Sequence, residues 1–187
     1  MKNLSSITTF EMERIIGQSL KIILSLFLLY SSALSQKLKV TCVGNSITYG
    51  YELPNPSSQS YPSQLQTLLG TTEWQVGNFG ANARTMLKSG GYSYWDEQLY
   101  KNALAFNPNY VIIKLGTNDS KRWLWNSHGN EFKNDYKEMV QSFQNLSSKP
   151  DIWIGLLIPG ENTEWDIYNS YIKEKVNPKI KSSLCWK

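Results

Sequence analysis

A serine that closely follows an apolar strand-like run is a natural place to look for nucleophilic chemistry. Leu38-Lys39-Val40-Thr41-Cys42-Val43 reads as a strand, and Gly44-Asn45-Ser46-Ile47-Thr48 follows it directly. Such a junction can present a hydroxyl at the edge of a sheet with its own backbone N–H exposed, which suits Ser46 to attack a carbonyl. The competing use of a serine here is to cap a turn. Two further runs stand at strand ends in the same way, Phe79 to Arg84 and Gly116-Thr117-Asn118-Asp119. A side-chain amide such as that of Asn118, together with backbone N–H groups, can stabilise charge that develops on an attacked carbonyl oxygen. A serine also needs a base within about 2.6–3.2 Å. The sequence holds one histidine, His128, which reads either as a residue of an exposed turn at a substrate rim or as that base.

The elements that must position these residues alternate between short β-like runs and longer helical ones. A loop rich in Pro and Ser, Pro54 to Ser60, leads to an amphipathic helix over Tyr61 to Leu69, closed by Gly70. Trp74 to Asn78 reads as the second strand, and Tyr94 to Phe106 as a helix ended by Asn107-Pro108. Tyr94-Trp95 is expected to pack that helix onto the sheet. Tyr110 to Leu115 is the third strand, Glu131 to Leu146 a helix, Ile152 to Ile158 a fourth strand stopped by Pro159-Gly160, and Trp165 to Ile180 a last helix. Right-handed crossovers place such strands in one parallel sheet with helices on both faces, and ligands then bind beyond the carboxyl ends of the strands. The runs holding Ser46, Ala83 and Asn118 all fall there.

Composition narrows the partners. With 41% apolar and 18% charged residues, the chain is neither a disordered protein nor a polytopic membrane protein. A net charge of +4, from Lys and Arg scattered along the sequence, gives no basic stripe for nucleic acid. Near the N-terminus, Arg14 and Lys21 precede the apolar run Ile22 to Tyr30, and Ala33-Leu34-Ser35 supplies small residues for cleavage before Gln36. This reads as a signal peptide over 1–35, starting at Met1 or Met12, with export to the periplasm or the medium. The run is shorter than the roughly 20 residues that span a bilayer, so no stable membrane anchor is expected. Cys42 and Cys185 form neither a disulfide framework nor a metal-ligand spacing, and Cys42 reads as a small buried residue. The loop after the first strand lacks a Gly-rich phosphate cradle, which disfavours a flavodoxin-like cofactor binder.

Val43-Gly44-Asn45-Ser46-Ile47-Thr48-Tyr49-Gly50, Asn78-Phe79-Gly80-Ala81-Asn82-Ala83-Arg84-Thr85 and Leu115-Gly116-Thr117-Asn118-Asp119 resemble, in order, three sequence blocks of the SGNH (GDSL-type) hydrolases. The resemblance runs from about Leu38 to at least Pro159. It implies a flavodoxin-like three-layer α/β/α sandwich with a parallel sheet, and a serine esterase that needs no metal or cofactor. Ser46 matches the nucleophile. The oxyanion hole would comprise the N–H groups of Ser46 and Ala83 and the side-chain amide of Asn118. Ala83 stands where the family has glycine, and as a main-chain donor it can serve if its φ is negative. Gly80 is a spare candidate that reads better as a turn residue. Asn45 replaces a family aspartate that braces the serine turn, and an amide can make many of the same bonds.

The family's base comes from an Asp-x-x-His block after a fifth strand, and this sequence contains no such block. The resemblance therefore implies a hydrolase domain over 36–187 that is incomplete at its C-terminus and lacks its last strand. Lys121, Arg122, Trp123 and Trp125 could line an acyl or sugar pocket, with at least one Trp packing in the core instead; Arg122, Trp123 and His128 form a candidate substrate rim. Thr117 to Lys121 with a nearby Trp most resembles the sialate O-acetylesterase-like and acetylxylan-esterase-like branch. The expected substrate is a small-molecule or carbohydrate ester carrying acetyl or another short acyl group. The alternative is a catalytically impaired fragment or binding pseudoenzyme lacking its histidine; oligomeric state is left open.

Overall fold

The β-branched and apolar runs pair into four strands, all parallel in one sheet. The computed structural model describes residues 9–33 and 36–156 and divides into two units, 1–37 and 38–187. In the first unit a helix, α1 (Thr9–Ala33), contains the apolar run of the N-terminal segment. No helix among the described residues is long and apolar enough to cross a membrane.

The second unit runs β1 (Leu38–Gly44), α2 (Ser46–Tyr49), α3 (Pro56–Gln59), α4 (Tyr61–Leu69) and β2 (Trp74–Gly80). A 3-10 turn at Tyr94–Asp96 precedes α5 (Gln98–Ala105), β3 (Tyr110–Lys114), α6 (Arg122–His128), α7 (Phe132–Gln144) and β4 (Asp151–Ile154). The strand order is β2-β1-β3-β4. The chain thus steps outward from β1 to β2, returns across β1 to β3, and continues to β4. Right-handed crossovers then require α4 on one face and α5 and α7 on the other, with a change of direction between β1 and β3.

Packing follows that arrangement. On one face the Cys42 thiol is hydrogen-bonded to Tyr61 of α4, and burial pushes it up to about 12, as expected of an inert core thiol. On the other face Val43, Val111, Ile113, Ile152 and Ile154 join Ala103 of α5 and Tyr136, Met139 and Phe143 of α7 in the main core. α7 supplies its share because its apolar residues recur at helical spacing on one side.

The α/β class, the parallel sheet and the four strands agree with the sequence reading. One helix differs. The expected continuous helix over Tyr94 to Phe106 is split, because Glu97 is extended at φ −75, ψ 141 and α5 begins only at Gln98. Tertiary anchors explain the break: Tyr94 donates its hydroxyl to the Phe79 carbonyl at 2.6 Å, Trp95 Nε1 donates to the Met86 carbonyl at 2.8 Å, and Glu97 pairs with Arg84. Tyr94 and Trp95 therefore fasten a loop as well as packing against the sheet. α6 occupies a stretch read as a loop or helix start, and α3 forms inside the Pro/Ser-rich loop. β4 stops at Ile154, with 155–156 already outside the strand expected to run to Ile158; the rest of that run, the last helix and Cys185 lie outside the described residues.

Candidate active site at the strand ends

The carboxyl ends of three strands are level, with Gly44 of β1 beside Gly80 of β2 and Lys114 of β3. The two glycines make room for α2. A Cβ at Gly44 would lie 1.9 Å from Thr48 Oγ1 and 2.8 Å from the Lys114 carbonyl oxygen; one at Gly80 would lie 2.2 Å from the Tyr49 nitrogen. The short helix carrying Ser46 is thereby set directly on the sheet edge. Ala81 then donates its N–H to the Gly44 carbonyl at 2.9 Å, tying the second loop to the first.

Ser46 is the first residue of α2 and is partly exposed. Asn45 caps the turn, its Oδ1 accepting from Ile47 N at 3.0 Å. The Asn45 side chain is buried, and its Nδ2 has no hydrogen-bond partner. The amide at this position thus makes one bracing bond through its oxygen, while its nitrogen makes none. At the other end of the turn Gly50 takes the left-handed conformation, φ 92, and donates to the Ser46 carbonyl at 2.9 Å. The backbone N–H of Ser46, at the start of a helical turn, has no intrahelical acceptor.

Ala83 is exposed in the loop after β2, and its φ is +61. The negative φ that the sequence reading required of an alanine here is not what the chain adopts. The loop reverses at this residue, with Arg84 N donating back to the Ala81 carbonyl at 3.4 Å, while the Arg84 carbonyl accepts from Asn118. A left-handed residue makes that reversal, at a cost of roughly 1–2 kcal/mol for an L-residue with a Cβ. Ala83→Gly removes that cost but gives the unfolded chain more freedom, so a net gain of about 0.5–1 kcal/mol is expected. Chemical denaturation of the two proteins measures it. Gly80 is an unsuitable donor, because its N–H is already given to Asn78 Oδ1 at 3.0 Å.

The third loop is a tight turn in which Asp119 N and Ser120 N donate to the Gly116 carbonyl at 3.1 and 3.2 Å. Two adjacent side chains leave it with different tasks. Asn118 Nδ2 donates to the Arg84 carbonyl at 2.9 Å, which fixes the amide's orientation and leaves its second hydrogen unused by that bond. Asp119 is fully buried and accepts from Leu87 N at 2.8 Å and Met86 N at 3.0 Å. Burial raises its carboxyl to about 6 despite those donors. The sequence reading assigned Asp119 no task beyond its motif; only the fold shows that the second loop hangs from it.

α7 holds the same loop further along. Asp135, itself buried, accepts from Lys88 N at 2.9 Å, and Glu131 accepts from the Ser89 hydroxyl at 2.6 Å. The Lys88 ammonium pairs with Glu138 and lies 4.5 Å from the centre of the Trp95 ring.

The rim candidates separate. Arg122 and Trp123 are exposed in the first turn of α6, whereas Trp125 packs on Phe132 with ring centroids 5.4 Å apart. His128, the last residue of α6, is half-buried, and its Nδ1 lies 2.9 Å from Glu131 Oε1. The bonds from Ser89 and His128 hold the Glu131 carboxyl below its usual range. His128 is thus engaged with Glu131, and no hydrogen bond joins it to Ser46 among the described residues. Those residues contain no cluster of three His, Cys, Asp or Glu side chains able to hold a metal ion.

Comparison with known proteins places this arrangement. The model of the GDSL-like lipase/acylhydrolase family matches residues 42–181. An acetylxylan esterase of Xylanibacter ruminicola is 37% identical in a match covering 75% of this chain and 32% of that protein, so the chain spans about a third of this relative's length. Among solved structures, a family two carbohydrate esterase from Clostridium thermocellum, in complex with cellohexaose, is similar at a TM-score of 0.53 and 20% identity, over 74% of this chain and 49% of that one. AlinE4, an SGNH-hydrolase family esterase, is similar at a TM-score of 0.52 and 20% identity, over 73% of this chain and 69% of its own. At these identities the two structures speak for the fold alone.

Proposed function

Because the chain belongs to the GDSL-like lipase/acylhydrolase family, we propose that it is a serine carboxylester hydrolase removing acetyl or other short acyl groups from carbohydrate. Ser46 Oγ attacks the ester carbonyl, and its proton passes to a base. The resulting oxyanion is met by the N–H of Ser46 and the free hydrogen of the Asn118 amide, with the N–H of Ala83 as a third donor presented from a left-handed turn at φ +61 in place of the negative φ expected of an alanine. Collapse expels the sugar hydroxyl, which takes the proton, and water then releases the acyl group from Ser46 by the reverse sequence. The base is either His128 or a histidine outside this sequence, since His128 is the one histidine the sequence holds.

The observation that carries the reading is the Asn118 amide, held on the Arg84 carbonyl beyond the level ends of β1, β2 and β3. Its direction is set before any substrate arrives, which is what an oxyanion donor requires. The carbohydrate part rests on the likeness to the acetylxylan esterase. Export belongs to the same proposal: 1–35 is a signal peptide and 36–187 the hydrolase domain of a secreted or periplasmic protein.

Incubation with a fluorophosphonate followed by peptide mapping tests the assignment. The phosphonyl group is expected on Ser46. A label on another residue would overturn the assignment of the nucleophile. A second reading, a module that keeps the pocket without turnover, is favoured by the position of His128, which no hydrogen bond joins to Ser46 among the described residues although its Nδ1 meets Glu131. It expects neither label nor hydrolysis of p-nitrophenyl acetate above an uncatalysed blank.

A further inference from the structure

Two large aromatic side chains stand exposed together on the segments that follow the proposed oxyanion donors Ala83 and Asn118. Tyr92 is 47% and Trp123 is 55% exposed, yet their rings meet edge to face with centroids 6.5 Å apart. They come from different segments, the loop after β2 and the first turn of α6, and each is fixed from behind. Tyr92 gives its carbonyl to Thr85 N at 2.9 Å, and Tyr94 N donates to the Thr85 carbonyl at 3.0 Å, so its segment runs alongside the residues that follow Ala83 and Arg84. On α6, Leu124 N and Trp125 N both donate to the Lys121 carbonyl at 2.9 Å, and Leu124 is buried.

Gly90 joins the two segments. Its φ is +93, and a Cβ there would lie 2.3 Å from Leu124 Cδ1. The positive φ favours glycine at this position, and the short distance marks where the second loop comes close to the Leu124 side chain of α6. The backbones that carry the pair are thus held by main-chain bonds, with Leu124 buried beneath α6, while about half of each aromatic side chain remains exposed. The edge-to-face contact stabilises the pair by itself, and the aromatic surface that stays exposed is suited to cover the apolar C–H face of a ring that also carries hydroxyls. Arg122 and Lys121, exposed alongside Trp123, offer hydrogen-bond donors to such hydroxyls.

We propose that Tyr92 and Trp123 form a sugar-binding subsite that seats a pyranose ring of a neutral polysaccharide next to the acyl site. This deepens the functional proposal above and rests on it for the role of the bound sugar, but the binding itself does not require turnover. Continuity argues for the occupant. The loop bearing Tyr92 is the loop bearing Ala83, and α6 follows the turn bearing Asn118, so both rings stand on segments that lead directly from the proposed oxyanion donors.

Titration of the full chain with xylohexaose, followed by tryptophan fluorescence, tests the subsite. Trp123→Ala and Tyr92→Ala are each expected to weaken binding about tenfold, the scale of one lost aromatic contact. Both residues are exposed, so the thermal midpoints should stay close to that of the parent, and a Trp123→Phe variant should recover part of the affinity. Ser46→Ala should bind as the parent does, which separates the subsite from the chemistry. Absence of binding by the parent at millimolar xylohexaose, or equal binding by the parent and both alanine variants, overturns the subsite. Loss of binding on Trp123→Ala with no fluorophosphonate label on Ser46 keeps the subsite and refutes the esterase.

Discussion

Asn118→Ala is expected to lower the rate of acyl transfer to Ser46 by about 10²–10³, the effect of removing one preorganised oxyanion donor. The amide spends one hydrogen on the Arg84 carbonyl at 2.9 Å, and the other is aimed by that bond. Charge reaches the carbonyl oxygen only as the serine attacks, so the loss should fall on kcat and leave KM nearly unchanged. Asn118→Asp should be no better, because a carboxylate would oppose the Arg84 carbonyl and repel the oxyanion. Turnover of p-nitrophenyl acetate, or the rate of fluorophosphonate labelling, reads the effect. A rate within a factor of two of the parent would remove Asn118 from the oxyanion hole.

The second large effect is expected on stability. Asp119→Ala leaves the N–H groups of Met86 and Leu87 buried without an acceptor, at about 1–3 kcal/mol each. Asp119→Asn keeps one acceptor and turns an N–H₂ toward the other donor, so it should cost about half as much by the same reasoning. Denaturant midpoints at constant m-value measure both. The pH dependence has a definite sign. Burial raises the Asp119 carboxyl from 3.8 to about 6, so the folded state holds this proton more tightly than the unfolded state does. Its contribution is complete below the unfolded value and is lost as pH rises through about 6. Parent stability relative to Asp119→Asn should therefore fall across that window. A difference that stays flat there would show that the donors of Met86 and Leu87 outweigh desolvation.

The parallel sheet and the places where its loops leave it could be read from the sequence, because the evidence for them is local. Val40 to Val43 and Tyr110 to Ile113 are apolar runs bounded by polar loops, and the helix Tyr61–Leu69 occupies the predicted residues. What could not be read depends on contacts between distant segments. Nothing local distinguishes Trp95, bonded to Met86, from a residue of a continuous helix, and that bond is part of what splits the helix. Nor does Ala83 announce a left-handed conformation, since alanine normally avoids it; the turn back toward Asn118 imposes it. Asp119 is the most informative case. Its motif placed it at a strand end, but its burial and its two partners, 32 and 33 residues earlier in the chain, exist only once the loops meet. Tyr92 lay outside every motif and became visible only through its ring contact with Trp123.

The loop that supplies Ala83 is fastened at Met86 and Leu87 by Asp119, at Lys88 by Asp135, and at Ser89 by Glu131. A helix with no part in bond breaking thereby helps hold the ground on which the chemistry stands. In evolutionary terms, this couples drift at Asp135 and at the N-cap Glu131 to the placement of that loop. An exchange of Asp135 or Glu131 would be felt in the loop that each holds, and under the proposed function selection for turnover would reach residues that never touch the ester.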